Sequence, residues 1–284
     1  MARSTLRWLP VALLVLTLPD LLLAQRGRSR SVRDEAERDW VAECRDHGDD
    51  SRERFCEERP MGWAARAGER LDVDAGPNGG VRVIGWDRDS VDVRVRIGAT
   101  ARTEADARAI AQRIQVSRSG SALRADGPDT GRRESWWVSY VIRAPRRMDL
   151  DLETVNGPLG VADVAGRMRL DVVNGPLSLD NVGGDVQARA QNGPLRVTLA
   201  GTRWDGAGLD AETVNGPLTL DVPDGYNAQL VTGTRNGPMD LGFPVTVQGR
   251  LGAGGRRHLE TTLGSGGPTI RAVTTNGPAT LRRR

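Results

Sequence analysis

Apolar and polar positions alternate with period two through the second half of the chain, and the alternation is punctuated by a recurring tripeptide. Asn156-Gly157-Pro158, Asn174-Gly175-Pro176, Asn192-Gly193-Pro194, Asn215-Gly216-Pro217, Asn236-Gly237-Pro238 and Asn276-Gly277-Pro278 follow one another at spacings of 18, 18, 23, 21 and 40 residues. When the copies are aligned on the Asn, the positions six, four and two before it and one and three after the Pro form a set. The first copy supplies Leu150, Leu152, Thr154, Leu159 and Val161, and the second Met168, Leu170, Val172, Leu177 and Leu179. Across the six copies these 30 positions hold 25 apolar residues, the rest being Thr, and no charge. Asp151, Arg169, Asp171, Arg189, Asp210 and Glu212 lie between them. Each unit therefore reads as strand, corner, strand with one buried face.

Asn-Gly between two strands would ordinarily signal a two-residue hairpin. Here Pro takes the fourth turn position, whose N–H normally closes the turn, so a corner fits better. Coils that all turn the same way stack as parallel strands with equivalent residues in ladders. The expected fold is all-β: a single-stranded parallel β-solenoid, β-helix-like, with structural corners at Asn156, Asn174, Asn192, Asn215, Asn236 and Asn276. One embedded amphipathic helix and a short N-terminal helical hairpin complete it. Loops opposite the corners vary in length and swell to Gly242–Thr269 before the last copy. Those loops form the candidate contact edge, and surface drift in loops is the plainer alternative.

Upstream, Leu71 to Asp74, Val81 to Trp86 and Val91 to Ile97 alternate as strands. Thr103 is placed to cap a helix through about Gln115, with Ala107, Ile110, Ala111 and Ile114 as its apolar stripe. Ser121 to Ala125 and Ser135 to Ala144 return to strand and run without a break into the first coil. One continuous domain is expected over 65–284, with repeat coils from about 150.

The first 24 residues read as a secretory signal peptide: Arg3 and Arg7 precede an apolar stretch too short for a membrane span. The mature chain is thus expected to be exported, periplasmic or at the cell surface, with no integral membrane span. Residues 25–64 form a charged segment around Trp40, Val41 and Cys44, with Ser31 and Asp34 as a capping pair. A helical hairpin closed by a Cys44–Cys56 disulfide is expected there, a small loop contributing about 3 kcal/mol. A metal site from Cys44, His47 and Cys56 is the rival, short of a sequence-local fourth ligand.

Composition narrows the function. The 40 basic residues are all Arg, and with 37 acidic residues interleaved among them the net charge is only +3. This argues against nucleic acid as a partner. Two His and two Cys leave little for acid–base, thiol or metal chemistry. No phosphate loop, nucleophile elbow or zinc-protease helix is present, so no catalytic, cofactor or metal residues are assigned. The enzyme alternative is a polysaccharide-active one, using outward Asp151, Asp171, Asp210 and Glu212. Arg169 and Arg189 in the same rows fit a salt-linked surface better. Trp136-Trp137 offers an aromatic platform for sugar, with core packing as the alternative.

The leader, the Gly-rich strands with one embedded helix, the passage Val141-Ile142-Arg143-Ala144-Pro145 and the repeated Val155-Asn156-Gly157-Pro158-Leu159 type of unit resemble a bacterial putative-adhesin family of unknown function. The resemblance covers about residues 65–284, implies an exported all-β solenoid and brings no catalytic residues. This chain departs from the family in its repeated Pro after Asn-Gly. The expectation is a non-enzymatic envelope protein, a rigid scaffold for adhesion or for binding an envelope protein or an anionic cell-surface polymer. A structural or signalling accessory role is the further alternative.

Overall fold

The computed structural model describes residues 31–46, 52–66, 68–242 and 257–284. The expected leader, His47 and much of the 242–269 loop lie outside the described residues.

Two short helices come first, α1 (Val32–Ala36) and α2 (Trp40–Asp46). Strands β1 (Glu53–Ala64), β2 (Arg70–Asp74), β3 (Val81–Trp86) and β4 (Ser90–Ala101) lead to α3 (Glu104–Arg113). β5 (Gln115–Ser119), β6 (Ala122–Asp126) and β7 (Ser135–Pro145) follow. The repeats then place one strand on each side of a corner: β8 (Asp149–Asn156) and β9 (Leu159–Ala162), β10 (Ala165–Asn174) and β11 (Leu177–Asp180), β12 (Gly183–Asn192) and β13 (Leu195–Thr198). β14 (Gly208–Asn215) and β15 (Leu218–Val222) come next, then β16 (Ala228–Asn236) and β17 (Met239–Leu241). β18 (His258–Leu263) precedes the last pair, β19 (Thr269–Asn276) and β20 (Ala279–Arg283).

These strands form two mixed sheets of ten strands each, β1-β4-β7-β3-β9-β11-β13-β15-β20-β17 and β18-β16-β19-β14-β12-β10-β8-β2-β6-β5. The expected single-stranded parallel solenoid is overturned by this topology. Repeat strands do pair in parallel, but β1-β4-β7, β5-β6 and β16-β18 are antiparallel. The last repeat, β19 and β20, also sits between β14-β15 and β16-β17, so the chain does not wind in sequence order. Neither sheet closes into a barrel. The physical reason is degeneracy. Every repeat presents the same row of side chains, so Leu209 fits Val186 on one side and Ile270 on the other equally well. Register is set by the pattern, whereas neighbour choice is set by the connections. The long link after β17 carries β18, which runs back along the outer edge of β16 and leaves β19 the inner one.

The core lies between the sheets as rows of equivalent residues. Leu150, Met168, Val186, Leu209, Ile270 and Leu230 make one buried row, and Leu159, Leu177, Leu195, Leu218 and Ala279 make another on the facing sheet. Four of the five Thr residues of the repeat set are explained by their hydroxyls. Thr213, Thr274 and Thr234 each donate at 2.8 Å to the carbonyl of a corner glycine in the adjacent repeat, Gly193, Gly216 and Gly277, and Thr154 does the same to Gly79. A buried hydroxyl without such an acceptor would cost stability.

The corner itself accounts for the proline. Gly157, Gly175, Gly193 and Gly216 donate their N–H to an Asn carbonyl of the next repeat at 2.9–3.0 Å, and Leu159, Leu177, Leu195 and Leu218 donate to Pro carbonyls at 2.9 Å. No donor is needed from the position between them, so proline costs nothing there and stiffens the corner. Glycine is required: at Gly175 and Gly193 φ is 156° and 155°, and a Cβ would lie 2.2 Å and 2.0 Å from the carbonyl oxygen of the preceding corner.

At the other end α3 fills the core with Ala107, Ile110 and Ala111, capped by Thr103 and ending at Arg113, two residues earlier than expected. Arg59 on β1 donates to the Ala111 and Ile114 carbonyls at 3.0 and 2.8 Å, satisfying the last turn. The N-terminal segment corrects a second expectation. α1 and α2 are helical, and α1 carries the Ser31–Asp34 capping box, but Cys56 lies on β1. The Cys44–Cys56 disulfide, with Cα atoms 6.3 Å apart, therefore ties helix to sheet rather than helix to helix. Strands β1 and β5 had no readable pattern because both are outer strands: β1 carries five charges and Pro60, which suit an edge.

Two outcomes follow. Gly193→Ala, which meets both the strained φ and a backbone clash, should lower unfolding stability by about 3 kcal/mol or more. Gly201→Ala, at φ 70° with open space around it, should cost only about 1–2 kcal/mol, both read from urea midpoints. The chain has two tyrosines. Burial pushes Tyr226 up to about 12. Burial, reinforced by the Asp74 charge, pushes Tyr140 higher still. Phenolate absorbance should thus stay absent in the folded protein through the range near 10 where the unfolded chain ionises. The stability these groups contribute is complete below that range and is lost as pH rises through the folded values.

Candidate binding surface

The six corner asparagines end their strands in register and are all exposed. Their amides form a chain running one way: Asn236 Nδ2 donates to Asn276 Oδ1 at 2.9 Å, Asn276 to Asn215 at 2.8 Å, Asn215 to Asn192 at 2.9 Å, and Asn192 to Asn174 and Asn174 to Asn156 at 2.8 Å. Asn156 then donates to the Pro77 carbonyl at 2.7 Å and reaches Asn78 Oδ1 at 3.3 Å. Asn78-Gly79-Gly80 is thus a further corner, joining β2 to β3. Its Asn-Gly between two alternating strands was the available signal; the missing proline and the bulged approach through Gly76, at φ 69°, obscured it.

Beside Asn78 the ladder ends in a cleft of about 390 Å³ lined by Pro77, Asn78, Pro128, Asp129, Trp136 and Trp137. Both tryptophans are half-buried. Trp136 packs its ring over Gly127 and donates Nε1–H to the Pro128 carbonyl at 2.9 Å, which pins the β6–β7 loop. Trp137, on the opposite side of the strand, lies across Gly98, with the Arg54 guanidinium 5.3 Å from its ring centroid. Aromatic rings and a side-chain amide lining a cleft of this size suit a polar, ring-bearing ligand.

The other candidates are placed differently. A groove of about 320 Å³ on the second sheet is lined by Arg70, Asp149, Asp151, Arg167, Arg169 and Asp185. Its carboxylates and their neighbours are tied to arginines: Asp151 to Arg70 at 3.7 Å, Asp171 to Arg169 at 2.9 Å, and Asp210 and Glu212 to Arg271 at 2.5 and 3.4 Å. Hydrogen bonding to Asp171 raises the pKa of Arg169, as expected of a salt-linked surface. On the side opposite the corners, Asp163 and Asn181 adopt left-handed conformations at φ 58° and 53°. Asn181 donates to Asp163 at 2.6 Å. Arg33 of α1 reaches the same Asp163, and the hydrogen bond raises the Arg33 pKa. Cys44 and Cys56 are consumed by the disulfide, and among the described residues no group of three or more His, Cys, Asp or Glu is arranged to hold a metal. His258 is exposed at the start of β18.

No family model matches the chain, and no curated protein matches it. Three solved structures align with most of the chain at low scores. A putative cell adhesion protein from Clostridium sporogenes ATCC 15579 has a TM-score of 0.48 and 9% identity over 81% of this chain and 100% of its own. A putative adhesin from Bacteroides fragilis NCTC 9343 has a TM-score of 0.29 and 12% identity over 80% and 97%. A putative lipid binding protein from Parabacteroides distasonis ATCC 8503 has a TM-score of 0.29 and 8% identity over 81% and 96%. At such scores neither a site nor a ligand transfers to this chain.

Asn192 holds two bonds of the amide chain and Asn236 one. Asn192→Ala should therefore lower stability by about 1–2 kcal/mol and Asn236→Ala by roughly half that, measured by denaturant unfolding.

Proposed function

We propose that the chain is an exported, non-enzymatic binding protein whose two-sheet body presents the asparagine edge and the Trp136/Trp137 cleft to an anionic cell-surface polysaccharide. The observation that carries this reading is the cleft lined by Trp136, Trp137 and the Asn78 amide, with the Arg54 guanidinium outside the lining but 5.3 Å from the Trp137 ring. Sugar rings stack on aromatic faces, their hydroxyls pair with amides, and an acidic sugar meets the guanidinium. Export is supported by the leader pattern and by a disulfide, which persists in oxidising compartments. The absence of enzymatic activity is supported by the ion-paired state of the outward carboxylates. The ladder asparagines sit on strand ends held by the sheets, so that edge is pre-organised and little ordering opposes binding there.

Titration with acidic envelope polysaccharides should show binding that weakens about tenfold or more in Trp137→Ala. Asn78→Ala, which leaves Trp137 on Gly98, should weaken it severalfold with an unchanged melting temperature. The double variant Asp171→Asn, Asp210→Asn should bind as the parent does, and no sample should shorten the polymer. Binding indifferent to both cleft variants removes the site, and chain shortening lost in the Asp variants replaces the reading with hydrolysis.

A further inference from the structure

We propose that Asn236 is a site of spontaneous, position-selective deamidation, set apart from the other repeat asparagines by its place at the open end of the amide chain. All the corner asparagines precede glycine, whose missing side chain leaves the following backbone nitrogen least hindered toward the Asn carboxamide. In the reaction the Gly237 nitrogen attacks Asn236 Cγ. The new N–Cγ bond replaces the Cγ–Nδ2 bond, and ammonia leaves carrying the amide nitrogen and the proton from the Gly237 N–H. The resulting succinimide takes up one water at either carbonyl and opens to aspartate or isoaspartate. Only water is consumed.

The inner rungs are held against this step twice. The nitrogens of Gly157, Gly175, Gly193, Gly216 and Gly277 each donate to an Asn carbonyl in the neighbouring repeat at 2.9–3.2 Å. Their asparagines both donate and accept through the side-chain amide. Asn236 donates to Asn276 at 2.9 Å, but among the described residues nothing donates to its Oδ1 and the Gly237 N–H has no acceptor. The strand that follows, β17, is three residues long, pairs with β20 alone and ends in the exposed Leu241. The rotation that brings Cγ over the Gly237 nitrogen therefore breaks one bond, where an inner rung must break three. Conversion at Asn236 removes the Nδ2 donor to Asn276 and sets a carboxylate against its amide oxygen, and isoaspartate also lengthens the backbone where β17 must pair.

The test is peptide mapping by mass spectrometry of the full chain incubated in mildly alkaline buffer, folded and in urea. Folded protein should convert Asn236 about tenfold faster or more than Asn156, Asn174, Asn192, Asn215 or Asn276. In urea the six rates should converge, since the amide chain is gone. Conversion of Asn236 no faster than the inner rungs in the folded protein overturns the proposal. Inner rungs that stay slow in urea also overturn it, because their protection would then be local sequence and not the ladder.

Discussion

The structure depends on the close approach of one corner to the next. Carbonyl oxygens of successive corner glycines occupy the space that a side chain would need, and the Asn amides close over them at 2.8–2.9 Å. Amide-to-amide bonds of this length fit corners stacked at the ordinary separation of paired strands, about 4.8 Å, and holding them there forces the strands on both sides into a common register. Once register is common, Leu, Met, Val and Ile of equivalent positions stack in rows, and hydrophobic burial follows as a consequence. The Thr hydroxyls then act as rivets, joining a buried position of one repeat to the corner carbonyl of another.

The N-terminal half solves the opposite problem, how to end such a stack. An open sheet edge is a template for pairing with another chain. β1 meets this with charge and Pro60, and α3 packs against β1 and β4. The outer face beside β1 and β4 is clamped by Arg96, which is 1% exposed. It pairs with Glu58 at 2.7 Å and donates to the Ala36 and Arg38 carbonyls at 3.2 and 3.3 Å. Burial lowers its pKa, and paired burial of a guanidinium of this kind costs much to break from one side. With the disulfide, it fixes α1 and α2 on the sheet.

Such a body has few moving parts and one chemically distinct edge. The sheet faces carry Arg–Asp and Arg–Glu pairs that neutralise one another, whereas the corner edge offers uncharged amides and, at its end, indole rings. The same periodicity that builds the edge leaves its last rung with half the bonds of the others, so the end of the ladder differs chemically from its middle although the residues are identical.

Period two and the buried set were legible in the sequence because each is local. Alternation fixes which side of a strand faces inward, and Asn-Gly-Pro fixes how the chain turns. The helix after Thr103 and the Cys44–Cys56 pair were legible for the same reason. Which repeat lies beside which was not, since equivalent rows fit any neighbour and only the span carrying β18 placed the last repeat inside the stack. The charged strand β1, the corner at Asn78 and the cleft that joins it to Trp136 and Trp137 were also decided in three dimensions. Edge strands need no apolar pattern of their own, and a cleft exists only where chain segments distant in sequence meet.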